Sequence, residues 1–201
     1  MNASLRAISS ALAVLAASLL LGGLTSWAQG VLPDALASFA NSPSGWTVLT
    51  ALLVAAARPS LAGGAALGVA SFVTVVLGYT VASELRGLSY DPVLWSVVGV
   101  IAGPFVGAAA AAIMGHRVVH AALGAGTIAG VLIADGIYGL TVVASDTSPA
   151  YWTLCLAAGA ALIGVTATRL RTPRAAAGVV ASAVAATGVL ILGYGVLNGV
   201  S

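Results

Sequence analysis

Seven long apolar runs dominate the chain, separated by short breaks that hold most of the charged residues and prolines. The runs cover 7–27, 44–57, 60–83, 92–114, 119–143, 150–168 and 175–197. A helix needs about 20 apolar residues to cross the hydrocarbon core of a bilayer. Six runs approach that length. The second is shorter, because Arg58 follows only twelve residues after Trp46. Strands of a membrane barrel would show ~10-residue alternating segments. These runs are longer and continuous, so the pattern predicts an all-α, polytopic transmembrane bundle forming a single integral membrane domain over 1–201. The first run could be misread as a secretory signal, since Arg6 precedes it and Ser26-Trp27-Ala28 resembles a cleavage site. Its apolar stretch exceeds the ~7–15 residues of a signal core, so a retained first helix is expected.

Charge sets the expected orientation. With seven crossings and the N-terminus inside, Arg6, Arg58, Arg117, Arg169, Arg171 and Arg174 fall on the cytoplasmic side and Arg86 alone outside, as the positive-inside rule favours. A re-entrant second segment would move Arg117 and the Arg169–Arg174 cluster outside. The expectation is therefore seven crossings, N-terminus in and C-terminus out. Residues 29–41 become an outer loop with a short interfacial helix.

A motif recurs where three runs begin: Ser42-Pro43-Ser44-Gly45-Trp46-Thr47, Asp91-Pro92-Val93-Leu94-Trp95-Ser96 and Ser148-Pro149-Ala150-Tyr151-Trp152-Thr153. Ser or Asp can cap free N–H groups of a first helical turn. Proline in that turn loses no hydrogen bond. Tryptophan one turn in suits headgroup depth. The returning runs end alike, in Gly78-Tyr79, Gly136-Ile137-Tyr138 and Gly193-Tyr194. The expected architecture is one leading helix plus three helical hairpins. All four tryptophans and all five tyrosines then fall at the outer side. Two readings stay open: a one-sided aromatic belt, or a pocket lined by Trp46, Trp95, Trp152, Tyr79, Tyr138 and Tyr194.

Composition sharpens the class. The chain is 60% hydrophobic and 6% charged, with no lysine and a mean hydropathy of +1.10. Soluble domains carry roughly 25% charged residues. A soluble enzyme and a nucleic-acid binder are excluded on that ground. The expected partners are the lipid bilayer, with other membrane subunits, a second copy of the chain or an unidentified small molecule in addition. The expected location is the cell membrane.

Glycine and alanine dominate. The fourth run carries Gly99, Gly103, Gly107, Ala111 and Gly115 at four-residue spacing, and the fifth Ala122, Gly126, Gly130 and Ala134. Such rows let membrane helices approach closely, and these two are expected to touch each other or to face other helices. Pro104, after Gly103, is expected to kink the fourth helix.

Asp135, inside the fifth run, is the main chemical signal. A carboxylate in lipid is costly and must face the bundle or a wet cavity. It is a ligand-site candidate at the base of the aromatic pocket, or else a structural acceptor for a Ser, Thr, Tyr or Arg86. His116 and His120 could share a helix face, but the Glu of a zinc-protease helix is missing between them. No metal, cofactor or catalytic set is expected. An intramembrane enzyme would need a second ionisable group near Asp135, and no helix supplies one.

The stretch from Ser42 to Ala112 resembles a family of small, uncharacterised multi-pass membrane proteins of actinobacteria. Ser44/Trp46, Arg58-Pro59, Gly78-Tyr79 and Gly103-Pro104 with Gly107 carry the resemblance, and Asp135 with Tyr138 fits loosely. It implies a membrane fold and no agreed activity. Size, helix count and the aromatic outer end are also similar to the substrate-binding membrane subunits of energy-coupling-factor vitamin transporters, as are Ala7/Ala11 and Ala13/Ala17 on the first helix. That likeness implies solute binding near the outer surface. The function expected is small-solute binding or a transport-associated role, with a structural or assembly subunit of a larger complex as the alternative.

Overall fold

The computed structural model describes residues 3–200, and these are all α. Eight α-helices follow in order: α1 (Ala3–Val31), α2 (Asp34–Ala37), α3 (Pro43–Ala57), α4 (Leu61–Leu85), α5 (Val93–Ile113), α6 (Val118–Thr141), α7 (Pro149–Leu170) and α8 (Pro173–Val200). A single 3-10 turn, Ser38–Asn41, joins α2 to α3. Six helices are long and apolar enough to cross a membrane, and α3, with 15 residues, is shorter. The chain is a multi-pass integral membrane protein.

Local chemistry explains the helix starts. Ser42 accepts from the Gly45 N–H at 3.1 Å, Ser60 from Gly63 at 3.1 Å and Ser148 from Ala150 at 3.4 Å. At α5 the capping side chain sits one residue earlier, with Asp91 accepting from the Val93 N–H at 2.9 Å. Two hairpin turns are built alike. Arg58 ends α3 and Arg171 ends α7, both left-handed, with φ of 47° and 49°. A proline follows within two residues of each and prevents the helix from continuing.

The long helices alternate in direction. Arg6 shares a surface groove with Arg58, and Pro59 shares another with His116 and Arg117. The start of α8, at Ala175 and Val179, packs on Ala122 and Ala125 at the start of α6, beside the end of α7. All the arginines but Arg86 therefore collect at one end of the bundle. The aromatic residues meet at the other.

Small residues set the packing, and of the two expected arrangements the rows adopt the second, each facing another helix. The rows on α5 and α6 do not face each other. Gly103 and Gly107 lie against Gly68 and Gly64 of α4, and Gly99 lies under the Phe72 ring. Gly126 and Gly130 instead accommodate α8, at Val179 and Ala183. Gly115 lies beyond the end of α5 and is exposed, so it joins no seam. Each row serves a different neighbour because α6 sits between α5, α7 and α8 and has more than one face to bury. The α1–α4 contact is polar as well as close, with Ser18 bonded to Ser71 at 2.8 Å and Ser26 to Ser83 at 2.9 Å. Pro104 lies inside α5, which continues on both sides of it.

A side chain at Gly107 would meet the backbone of Gly64 directly, whereas Gly188 on α8 has nothing within 4 Å. Overpacking a close contact costs about 1–3 kcal/mol. Gly107→Leu is therefore expected to lower the unfolding midpoint in detergent. Gly188→Leu should leave it unchanged, and equal effects would disprove the α4–α5 seam.

Candidate functional site

The site begins with the shortness of α3. Fifteen residues span roughly 22 Å at ~1.5 Å per residue, against a hydrocarbon core of about 30 Å. Because α3 ends at the arginine end with Arg58, its N-terminus stops inside the bundle. The chain reaches that point through α2, which is exposed, and the 3-10 turn, after which Ala40, Ser42 and Ser44 are all buried. Gly45 permits the approach, since a Cβ there would strike the Phe39 carbonyl. The stretch expected as an outer loop thus holds a short exposed helix, α2, and a turn that covers the start of α3.

A helix start exposes N–H groups that have no partner within the helix, and each one here is accounted for. Pro43 has none. Ser44 N–H donates to Asp135 Oδ2 at 2.9 Å, Gly45 N–H to Ser42 Oγ, and Trp46 N–H to the Ser42 carbonyl at 3.2 Å. The Ser44 hydroxyl donates to the same Oδ2, and the Tyr194 hydroxyl of α8 to Oδ1. Asp135 is 1% exposed and closes a buried helix end.

The hydroxyl chain around it has one direction. Ser44 spends its proton on Asp135, so Tyr151 donates to Ser44 Oγ at 2.7 Å. Ser42 then donates to Tyr151 at 3.0 Å while its oxygen receives Gly45 N–H. Hydrogen bonds that run one way polarise each other, and this run ends on a carboxylate. Cys155 Sγ lies 3.6 Å from Ser44 Oγ at the edge of the chain. Arg86, the other partner considered for Asp135, is elsewhere. It donates to the Ser26 carbonyl and, at 3.1 Å, to Ser26 Oγ, and stands 5.4 Å over the Trp27 ring.

Beside this centre lies a cavity of about 580 Å³. Asp135, Tyr138, Trp95, Trp152 and Tyr194 line it, together with Gln29, Asn41, Ser42, Asp146 and Thr147. Tyr138 and Tyr194 stack at 4.1 Å. Trp152 lies on Gly139, where any side chain would collide with the indole, and its N–H donates to Thr147 at 2.8 Å. Two other residues anticipated for the pocket stand behind its wall. Trp46 is 1% exposed, packed 5.5 Å from both Trp95 and Tyr79 and against Phe72. Tyr79 accepts from the Gln29 side chain at 2.8 Å. The helix-start tryptophans therefore turn inward, and Trp27 is the one that stays exposed. A belt of lipid-facing rings does not describe this end. Nearby, burial pushes the Tyr90 phenol above its ordinary range, helped by Tyr79 and Asp91. Gly103 and Pro104 do not line the cavity.

The family model described as "Family of unknown function (DUF6518)" matches residues 1–200. The chain belongs to this family. The match takes in the Asp135 centre, α1 and α8, well beyond the stretch 42–112 that first suggested a resemblance. No curated protein and no solved structure matches it. Among the described residues, no group of His, Cys, Asp and Glu could hold a metal ion.

Sequence reasoning singled out Asp135, Tyr138 and Tyr194 but not their connection through Ser44, Tyr151 and Ser42. The usable signal was Ser44 one residue past a proline, at the start of a helix too short to reach the surface. Ser44→Ala is expected to cost about 1–3 kcal/mol, because it leaves Tyr151 and one Asp135 lone pair unanswered in the interior. In a double-mutant cycle Ser44→Ala and Tyr151→Phe should couple by more than about 0.5 kcal/mol. Additive losses in unfolding measurements would rule out the directed chain.

Proposed function

We propose that this protein binds a small solute in the cavity at the aromatic end of the bundle, as a receptor or transport-associated component of the cell membrane. One observation carries the reading. Four aromatic rings and a buried carboxylate held by three hydrogen bonds converge on a single cavity, which lies in the size range of small-molecule sites. The buried turn before α3 supports it, because irregular backbone in a membrane protein is tolerated where it is buried in protein or lines a cavity. The reading assigns no reaction to the chain.

The proposal includes an orientation. Seven crossings, counting α3, would put Arg6, Arg58, Arg117 and the Arg169–Arg174 group in the cytoplasm and the cavity outside. The collection of these arginines at one end of the fold favours it. Single cysteines at positions 88 and 146 should react with an impermeant maleimide on intact cells, and those at 58 and 117 only after lysis. Labelling of 58 together with 146 would reject seven crossings.

A second reading, an assembly subunit, is favoured by one feature. Gly164 on α7 and Gly188, Gly193 and Gly195 on α8 have nothing within 4 Å, beside the exposed Val184, Val189 and Leu192. Close approach of another membrane helix would use such a face.

Native mass spectrometry of the protein in lipid nanodiscs separates the two. Solute binding predicts a retained small molecule that Trp95→Ala releases while the fold survives. A bare chain with a stoichiometric protein partner would favour the assembly role and reject solute binding.

A further inference from the structure

We infer that the cavity selects an organic cation, an ammonium group carried on an apolar body; the inference rests on the solute-binding reading and specifies its ligand class. The formal charges lining the cavity are Asp135 at its floor and Asp146 at its rim, and no Arg or His lines it among the described residues. Arg86, nearest in chain to this end, is occupied by Ser26 and Trp27 between α1 and α4. Arg6, Arg58 and Arg117 lie at the opposite end of the bundle.

The α3 N-terminus offsets part of the floor charge. A helix end is equivalent to about half a positive charge, so roughly half a negative charge remains at Asp135, with Asp146 added in full. A cleft of one sign with low-dielectric walls concentrates ions of the other sign.

The walls point the same way. Trp95, Trp152, Tyr138 and Tyr194 all line the cavity, and ring faces attract ammonium groups, indole most strongly. An anion would meet the same rings with no positive partner. Asp135 accepts three hydrogen bonds, and a carboxylate offers about four acceptor sites. One site is left for an N–H donor from the ligand. The side chains of Gln29 and Asn41, also on the lining, can accept further N–H groups.

The test uses three probes of matched size: 2-phenylethylammonium, 2-phenylethanol and phenylacetate, titrated against tryptophan fluorescence of the full chain in nanodiscs. The ammonium probe should bind saturably, at least ~10-fold more tightly than the other two, with affinity falling as salt rises. Asp135→Asn should weaken it by ~10-fold or more. That variant also removes a structural acceptor, so Asp146→Asn is the second arm. Asp146 is exposed and its side chain accepts from its neighbour Ser145, and its loss should weaken the ammonium probe by ~2–5-fold without changing the unfolding midpoint. Equal or tighter binding of the alcohol or the carboxylate overturns the cation assignment while the solute-binding reading stands. Binding of none of the three overturns the cation assignment too, and a molecule still retained in native mass spectrometry would then preserve solute binding alone.

Discussion

A helix that starts in a protein interior leaves N–H groups where no water can answer them, and a carboxylate buried there has the opposite deficiency. The α3 N-terminus and Asp135 resolve each other. Either alone would cost several kcal/mol in an apolar interior. Together, with Ser44 and Tyr194 completing the set, they form a closed polar centre that joins α3, α6 and α8. Tyr151 brings in α7. Four helices are thereby held in register by one connected set of hydrogen bonds, which non-directional packing of alanine and glycine could not do.

The same centre creates the space next to it. The start of α3, at Ser42 and Pro43, lines the same volume as Trp95, Trp152 and Asp135. The chain enters as α2 and a 3-10 turn, and packs Phe39 on the Tyr151 ring at 6.2 Å. The remaining gap is the cavity. Trp46 fills the other side of α3, with Phe72, Val75 and Val76 of α4, and fixes the wall behind Trp95. Cavity and polar centre are therefore two outcomes of one short helix.

What the sequence made legible follows from rules that act within a segment. Span length, helix starts at Ser42 and Ser148, and turns at Arg58 and Arg171 depend on neighbours in the chain, and the helices lie where the apolar runs put them. What it concealed depends on neighbours in space. The glycine rows of α5 and α6 were visible, but nothing in a four-residue period says which helix will fill them, and α4 and α8 did so. Trp46 and Trp152 carried a headgroup-depth signature and turned inward, because Gly139 leaves a bed for one indole and Phe72 with Tyr79 a socket for the other. The pairing of Asp135 with Ser44 spans 91 positions, and the local pattern around neither residue contains it.

Structural and ligand-binding roles for Asp135 are not alternatives. A buried charge held by three fixed donors cannot swing to follow a ligand, so it acts as a stationary electrostatic floor. A preorganised floor of that kind needs no reorganisation when a solute arrives, and the cost of orienting the carboxylate is met once, on folding. Any loss of binding on altering Asp135 therefore mixes loss of fold with loss of field. Asp146 and the Trp95 ring separate the two, because they face the cavity from outside the hydrogen-bonded centre and can be changed while that centre stays whole.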